Sequence, residues 1–544
     1  MFVTREHLQH SGVHRDSQPI RLSLCMIVRD NAATLRPCLA SIRPWVDEMV
    51  VVDTGSTDET PAIAHEFGAR LFHFPWCDDF SAARNESLRH ARGQWLFWMD
   101  SDDTITSENG RKLRELANGP HPVGIVAYVM QVHCPVRRGE SPGGLTVVDH
   151  IKLFRNHPRI RFEFRIHEQV LPSIRRLGGE VAWTDIFVDH SGSDQTEAGR
   201  RRKYERDLRI LQLELAEKPD HPFVLFNLGM THADMGEHAT AEEFLRHCLS
   251  VSRPDESHVR KAYALLVVSL QEQDRLQDAW TANRQGLELF PADPELLFLR
   301  GTLAHRLGRR ELAAEAYRGA LANRDQRHFS SLDPGVLGYK ARHNLALVLQ
   351  ELGRHDLAEV QWRHVIREAP GFADAYRCLG ETLVAQGKYH GGAVHVDAML
   401  RYPLLGPSAA VLKVRLAEAR GELSAAKSEL ENARGEFPHS LEVLQAQAKF
   451  LFERGDPCEA EEPLCRLIEL CPDDGAARHN LGMLNLRVGK PVEAAHWFRE
   501  SLRVRPHCPA TREQLSMLGE EGKAVVGRCG PTETCHPKGM GQEN

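Results

Sequence analysis

Five glycines, Gly353, Gly387, Gly421, Gly455 and Gly489, follow one another at intervals of 34 residues, and a strict period of that length leaves few architectures open. Two further columns keep step. Ala358, Ala426, Ala460 and Ala494 fall five residues after their glycines, and Pro370, Pro438, Pro472 and Pro506 fall seventeen after. From Thr196 onward the sequence is continuously helical in pattern, so each period holds a helix pair. Such a pair buries its small-residue face only against its neighbours, which builds a superhelix with a concave surface suited to a peptide or partner. The earlier units are less regular: Gly308 precedes Gly353 by 45 residues, placing an insertion at Asn323 to Gly335, and Gly236 marks a first unit near Pro222. About eight units are expected, ending near Pro506.

Leu-Gly pairs open several of these units, at Leu228-Gly229, Leu379-Gly380 and Leu481-Gly482. Together with the alanine and proline columns they make this half resemble the tetratricopeptide repeat. The resemblance implies an all-α superhelix over residues 222–510, reached through a linking helix at 196–221. The basic run from Gly199 to Lys203 begins that helix and reads as a solvated face, with contact to an acceptor phosphate as the alternative.

The first half keeps a different rhythm. Leu22 to Val28, Glu48 to Asp53, Ala69 to Phe74 and Gln94 to Asp100 are short apolar runs of strand length, covered on both faces. Between them Leu35, Cys38, Leu39 and Ile42 form one helical stripe, and Phe80, Ala83, Ser87, Leu88 and Ala91 another. Strand, helix, strand in succession predicts a parallel, doubly wound α/β sheet with right-handed crossovers. From Val123 to His190 the runs are longer and strand-like, predicting a mixed or antiparallel edge that closes over one end of the sheet.

At 544 residues the chain exceeds what one core holds, so at least two domains are expected. A formal charge of -7 argues against a general nucleic-acid binder. No apolar run reaches membrane-span length, and residues 1–20 mix charge and histidine in the manner of a flexible terminus. The 12 cysteines are scattered without a CxxC pair, so reduced thiols in a cytoplasmic protein are the expectation. Residues 511–544 are rich in Gly, Pro and Thr and are expected to be disordered; Cys529, Cys535 and His536 fall within them.

The run FWMDSDD, Phe97 to Asp103, carries the chemistry. Its aromatic part suits a buried strand, and in an open parallel sheet ligands bind just beyond the carboxyl ends of the strands, where Asp100, Asp102 and Asp103 emerge. Carboxylates this close push one another toward the protonated form unless a cation sits among them, and Mg²⁺ or Mn²⁺ is the kind of ion they suit. The structural alternative is that Asp102 or Asp103 caps a helix starting near Thr104. At a second strand end, VVDTGSTDET offers Ser56 and Glu59 as a capping box with Pro61 in the first turn. Caps leave Asp53 unexplained, and it is placed to accept hydrogen bonds from a nucleotide base. The spacing is neither G-x-G-x-x-G nor a Walker loop.

The strings CMIVRDNAATLRPCLASI, VVDTGSTDET and DDFSAARNESLRHARGQWLFWMDSDD, in that order, resemble the family 2 inverting glycosyltransferases of GT-A fold, from Arg21 to Gly192 within a domain expected at 21–195. The resemblance implies that Asp53 contacts the base and that Arg84 and Asn85 line the same pocket. Asp100 and Asp102 are then the D-x-D pair, Asp100 toward ribose and metal, Asp102 on the Mn²⁺ or Mg²⁺ that bridges the pyrophosphate of a sugar nucleotide, with a UDP-sugar the first expectation. His190 resembles the late histidine that completes such a site. The general base in this fold is an acidic residue late in the domain, and Glu168 is the candidate, although His167-Glu168 stands where the family more often has an acidic pair. HEQVL is not HExxH, so a zinc protease is excluded. Fusion to a repeat array resembles protein- and peptide-modifying transferases, which implies a protein, peptide or surface-glycan acceptor read by the array, and a donor site that survives deletion from Pro222 onward. The competing classes are a repeat scaffold with an inactive transferase domain and a nucleotidyl transferase, the latter disfavoured because MIVRDNAATL lacks a Gly-rich phosphate loop.

Overall fold

In the computed structural model, residues 20–135, 145–192, 196–326, 331–454 and 456–525 are described. Residues 1–19, Gly455 and the group of Cys529, Cys535 and His536 lie outside them. The alternation of apolar runs and helical stripes becomes β1 (Leu22–Val28), α1 (Ala32–Ile42), β2 (Glu48–Asp53), α2 (Thr60–Glu66), β3 (Arg70–His73), α3 (Phe80–His90) and β4 (Trp95–Trp98). Then follow β5 (Asp103–Thr104), α4 (Ser107–Asn118), β6 (Ile125–Pro135), β7 (Leu145–Arg155), α5 (Leu171–Arg176) and β8 (Glu180–His190). Strand order is β3-β2-β1-β4-β7-β6-β8-β5. The first four strands run parallel, as their crossover helices require.

The later strands form the mixed edge expected: β7 pairs antiparallel with β4, Phe97 opposite Leu153, β6 and β8 carry the sheet onward, and β8 returns to pair with β5 just beyond β4. Every residue of β4 is buried because the strand has cover on both sides. Leu24, Met26, Trp95 and Phe97 pack with Leu35 and Leu39 of α1 and Leu113 of α4. Cys25, Leu96 and Trp98 face the other way, onto Leu88 of α3 and Ile174 of α5. At about 1.5–3 kcal/mol per large apolar side chain, this two-sided burial fixes the level at which β4 must release the chain.

The chain forms two compact units divided between Leu352 and Gly353, inside the helical half and not where the sequence changes period. The first unit continues with α6 (Glu197–Glu217), α7 (Pro222–Asp234), α8 (His238–Val251), α9 (Val259–Glu272), α10 (Leu276–Leu289), α11 (Pro294–Arg306), α12 (Arg310–Ala322) and α13 (Tyr339–Glu351). Within a helix pair the glycine of the Leu-Gly column meets a large side chain from the second helix: a Cβ on Gly229 would lie 2.6 Å from Leu245 Cγ. The period breaks before Gly308 because Asp274, with φ of 57°, takes the left-handed turn position that Gly236 and Gly308 hold in neighbouring pairs. The insertion expected at 323–335 contributes β9 (Ser331–Leu332), which pairs antiparallel with Val147 and Val148 of β7.

In the second unit, helices run from His355–Glu368 to Pro509–Val525. The last of these corrects the expectation of disorder from 511. Leu518 on it packs with Ala494 and Phe498 and so covers the face that the preceding pair would leave bare. Among the described residues, no helix is long and apolar enough to cross a membrane.

His258, at the start of α9, is buried against the rings of Phe223 and Phe226, with Nε2 2.9 Å from Ser252 Oγ. Burial pushes its imidazole down to about 4, Glu256 opposing in part. An unfolded chain takes up that proton near 6.5, so stability is complete above 6.5 and is lost as the pH falls toward about 4, by up to about 3 kcal/mol. Unfolding of the first unit between pH 7 and 4 is expected to show this slope, and His258→Leu to flatten it.

Candidate active site

Beyond β4 the chain turns at Asp100 to Asp103, where the Asp103 amide donates to Asp100 O at 3.1 Å and the Asp100 amide to Asp103 Oδ2 at 3.1 Å. Neither Asp102 nor Asp103 caps a helix, since α4 starts at Ser107 and is capped by Thr106. The pairing of β5 with β8 sets Asp103 directly opposite His190. His190 Nδ1 then lies 3.0 Å from Asp103 Oδ1 and 3.5 Å from Asp102 Oδ1. Beneath them Lys152 of β7 donates to Asp103 Oδ2 at 2.8 Å; both side chains are wholly buried, with Nζ 4.0 Å from the Trp98 ring centre. Lys152 escapes notice in the sequence, although a lysine inside the apolar run TVVDHIKLF signals a buried charge that needs a partner.

Asp100 faces elsewhere. Its Oδ1 accepts from Arg84 Nη2 at 2.6 Å, and Arg84 Nε also binds Glu168 Oε1. The guanidinium lies over Trp98, 4.3 Å from the ring centre, and its Nη1 is buried without a hydrogen-bond partner. Arg84 thus joins Asp100 to Glu168, and the group with metal-ligand spacing among the described residues differs from the expected Asp100, Asp102 and His190. Asp102, Asp103 and His190 are the residues whose ligand atoms lie within 4.8 Å of one another, Asp103 taking the place of Asp100.

Charge explains the division. Burial pushes the Asp100 carboxyl up, but Arg84, with Lys152 behind it, holds it below the usual range. Burial also pushes Asp102 up; Asp100 and Asp103 add to this and His190 opposes, and the carboxyl stays above its ordinary range. Desolvation alone would lower His190, yet its bond to Asp103 and the Asp102 charge raise it.

Asn85, expected to line a nucleotide pocket, has its amide engaged by the backbone of Phe162. Its amide donates to Phe162 O at 2.9 Å and accepts from Phe162 N at 2.8 Å, clamping the start of the loop that bears Glu168. Two bonds between Glu163 and Gln169 close that loop, and within it Phe164 and His167 have φ of 76° and 54°. Bulky residues in the left-handed region cost about 1–2 kcal/mol each and persist only where neighbours hold them.

Asp53 ends β2 with 5% of its side chain exposed. Its carboxylate accepts from the Ser56 amide at 3.1 and 3.3 Å and lies 3.4 Å from His73 Nδ1, so local turn chemistry accounts for it in part after all. The expected capping box does not form. Ser56 Oγ accepts instead from the Asp30 amide at 3.0 Å, and Glu59 makes no side-chain cap, which ties the loops after β1 and β2 together.

Residues 23–166 match the family described as Glycosyl transferase family 2, and 224–255 and 265–328 match tetratricopeptide repeat families. A TPR repeat-containing protein of Synechococcus elongatus is 36% identical over 242 residues, 43% of this chain and 58% of its own length. The SPbeta prophage-derived glycosyltransferase SunS of Bacillus subtilis is 24% identical over 273 residues, 49% of this chain and 63% of its own length. The chain therefore spans less than two thirds of either relative. A solved tetratricopeptide repeat protein from Parabacteroides merdae aligns with 48% of this chain and 98% of itself, at 17% identity and a TM-score of 0.35.

Lys152→Met leaves Asp103 charged, buried and unpaired, a change that costs about 3–5 kcal/mol. Guanidinium unfolding is expected to show that loss, and Lys152→Met with Asp103→Leu to recover most of it.

Proposed function

We propose that this chain, a family 2 glycosyltransferase domain followed by tetratricopeptide repeats, moves a sugar from a nucleoside diphosphate donor to a protein, peptide or surface-glycan acceptor with inversion. The observation that carries the reading is the convergence of Asp100, Asp102, Asp103, His190 and Arg84 at the carboxyl end of β4, where an open sheet receives its ligand. UDP-sugars are the first donors to try.

Two carboxylates and an imidazole suit a hard divalent cation, and Asp100 and Asp103 add to burial in raising the Asp102 carboxyl. Asp102, Asp103 and His190 would hold Mn²⁺ or Mg²⁺. Bound there, the ion supplies charge that offsets the diphosphate as the glycosidic bond breaks. Asp103 is fixed from below by Lys152, while the Asp102 carboxylate has His190 beside it. Asp53 at the end of β2 meets the nucleoside base, and Asp100, with 38% of its side chain exposed, meets the ribose. Arg84 keeps Asp100 and Glu168 at a fixed separation, and Asn85 acts on the same site by holding the loop.

In the displacement, an acceptor oxygen attacks the anomeric carbon as the bond to the diphosphate breaks, and the acceptor's proton passes to Glu168. Arg84 already occupies Oε1, so Oε2 takes that proton. The repeat array presents the acceptor.

The purified chain is expected to release nucleoside diphosphate from one of a panel of UDP-, GDP- and dTDP-sugars with Mn²⁺ present, and to lose that activity in chelator. Asp102→Asn is expected to lower the rate by about 100-fold or more, and Glu168→Gln to lower transfer to an acceptor by a similar factor. Partner binding without turnover of any donor would instead mark a scaffold.

A further inference from the structure

Glu168 sits in a loop closed by two bonds between Glu163 and Gln169, and those bonds leave open what holds the two left-handed residues between them. The explanation lies on α6. Glu214, 2% exposed, accepts from the Arg165 amide through Oε2 at 3.0 Å, while Lys218 donates to Oε1 at 3.1 Å. The other side of Arg165 is fixed as well: its carbonyl accepts from the Phe80 amide at 2.7 Å, at the first residue of the helix that carries Arg84. Arg165 is thus pinned between α3 and α6, directly after one strained residue and two before the other.

Apolar cover comes from the same direction. Ile166 packs with Ile210 and Leu211 of α6 and Val224 and Leu228 of α7. The Phe164 ring lies 4.6 Å from that of Phe223. Arg209 Nη2 adds a bond to Asp78 Oδ1 at 2.8 Å, just ahead of α3.

Resting on the transferase reading above, we propose that Glu214 is a positioning residue for sugar transfer: by accepting the Arg165 amide, it holds the strained loop so that Glu168 meets Arg84. The linking helix and the first repeat are then part of the catalytic site. Deletion from Pro222 onward would not leave the donor site intact, because Phe223, Val224 and Leu228 go with it.

The test uses the full chain with Glu214→Gln, which keeps an acceptor oxygen, and Glu214→Ala, which does not. Amide exchange of the 162–169 segment is expected to speed up about 10-fold or more in Glu214→Ala and to stay within about 2-fold of wild type in Glu214→Gln, with α9 to α12 unchanged in both. For donor turnover, kcat of the alanine variant is expected to fall about 10-fold or more with KM for the donor nearly constant, and the glutamine variant to rescue it. If Glu214→Ala does not fold, Phe223→Ala, which uncovers Phe164, is read in the same way. Unchanged exchange in the loop, or faster exchange with unchanged kcat, overturns the proposal. A wild-type chain that turns over no donor overturns the transferase reading, while the exchange measurement still decides whether Glu214 holds the loop.

Discussion

The candidate site is built on one buried ion pair. Lys152 and Asp103 meet at 2.8 Å beneath the crevice, both fully enclosed, with the face of Trp98 against the ammonium. Charges placed this deep must be matched closely, since each alone would cost several kcal/mol. Because Asp103 is held from below, its position cannot follow the fluctuations of the turn that contains it. His190 is aligned on it by strand register, and Asp102 is left as the carboxylate with the least compensation. Lys152 also reaches Asp100 electrostatically, so one lysine influences two acids that face different partners.

Much of this was legible in the residues. Apolar runs ending in acids located the strand ends, and the 34-residue columns located the helix pairs, because both patterns arise from burial that repeats along the chain. Asp102 is legible on that basis, whereas Arg84, Glu168 and His190 enter through the resemblance to family 2 glycosyltransferases. What escaped depends on partners distant in sequence. Whether Asp100 or Asp103 joins His190 is decided by Arg84 and by the pairing of β5 with β8, neither of which has a local signature. The bonds of Asn85 to Phe162 had no local signature either, since they exist only once the loop has folded back on α3. The turn of the second helix pair was hidden because Asp274 stands where its neighbours have glycine, a left-handed position that aspartate tolerates better than most residues.

The changeover from sheet to helices is not a hinge between independent parts. α6 supplies Ile210 and Leu211 to a core shared with Trp76, Phe80 and Ile166, so the loops around the site and the first repeat fold onto common apolar surface. Two-domain reasoning from composition would cut the chain near residue 195, whereas the compact unit runs on to Leu352. A segment with few contacts of its own can keep a costly backbone shape when a neighbouring element supplies the restraint.

The short strand β9 has a bearing on how this sheet stays out of trouble. β4 is brief and reaches only Leu153 to Arg155 of β7, so the earlier part of β7 would present unpaired amides and carbonyls along that side. Ser331 and Leu332 occupy it at Val147 and Val148. An insertion that looks expendable among the repeats therefore works as a guard rail against strangers: trimming it to regularise the array would uncover a sticky strand margin and invite self-association between molecules.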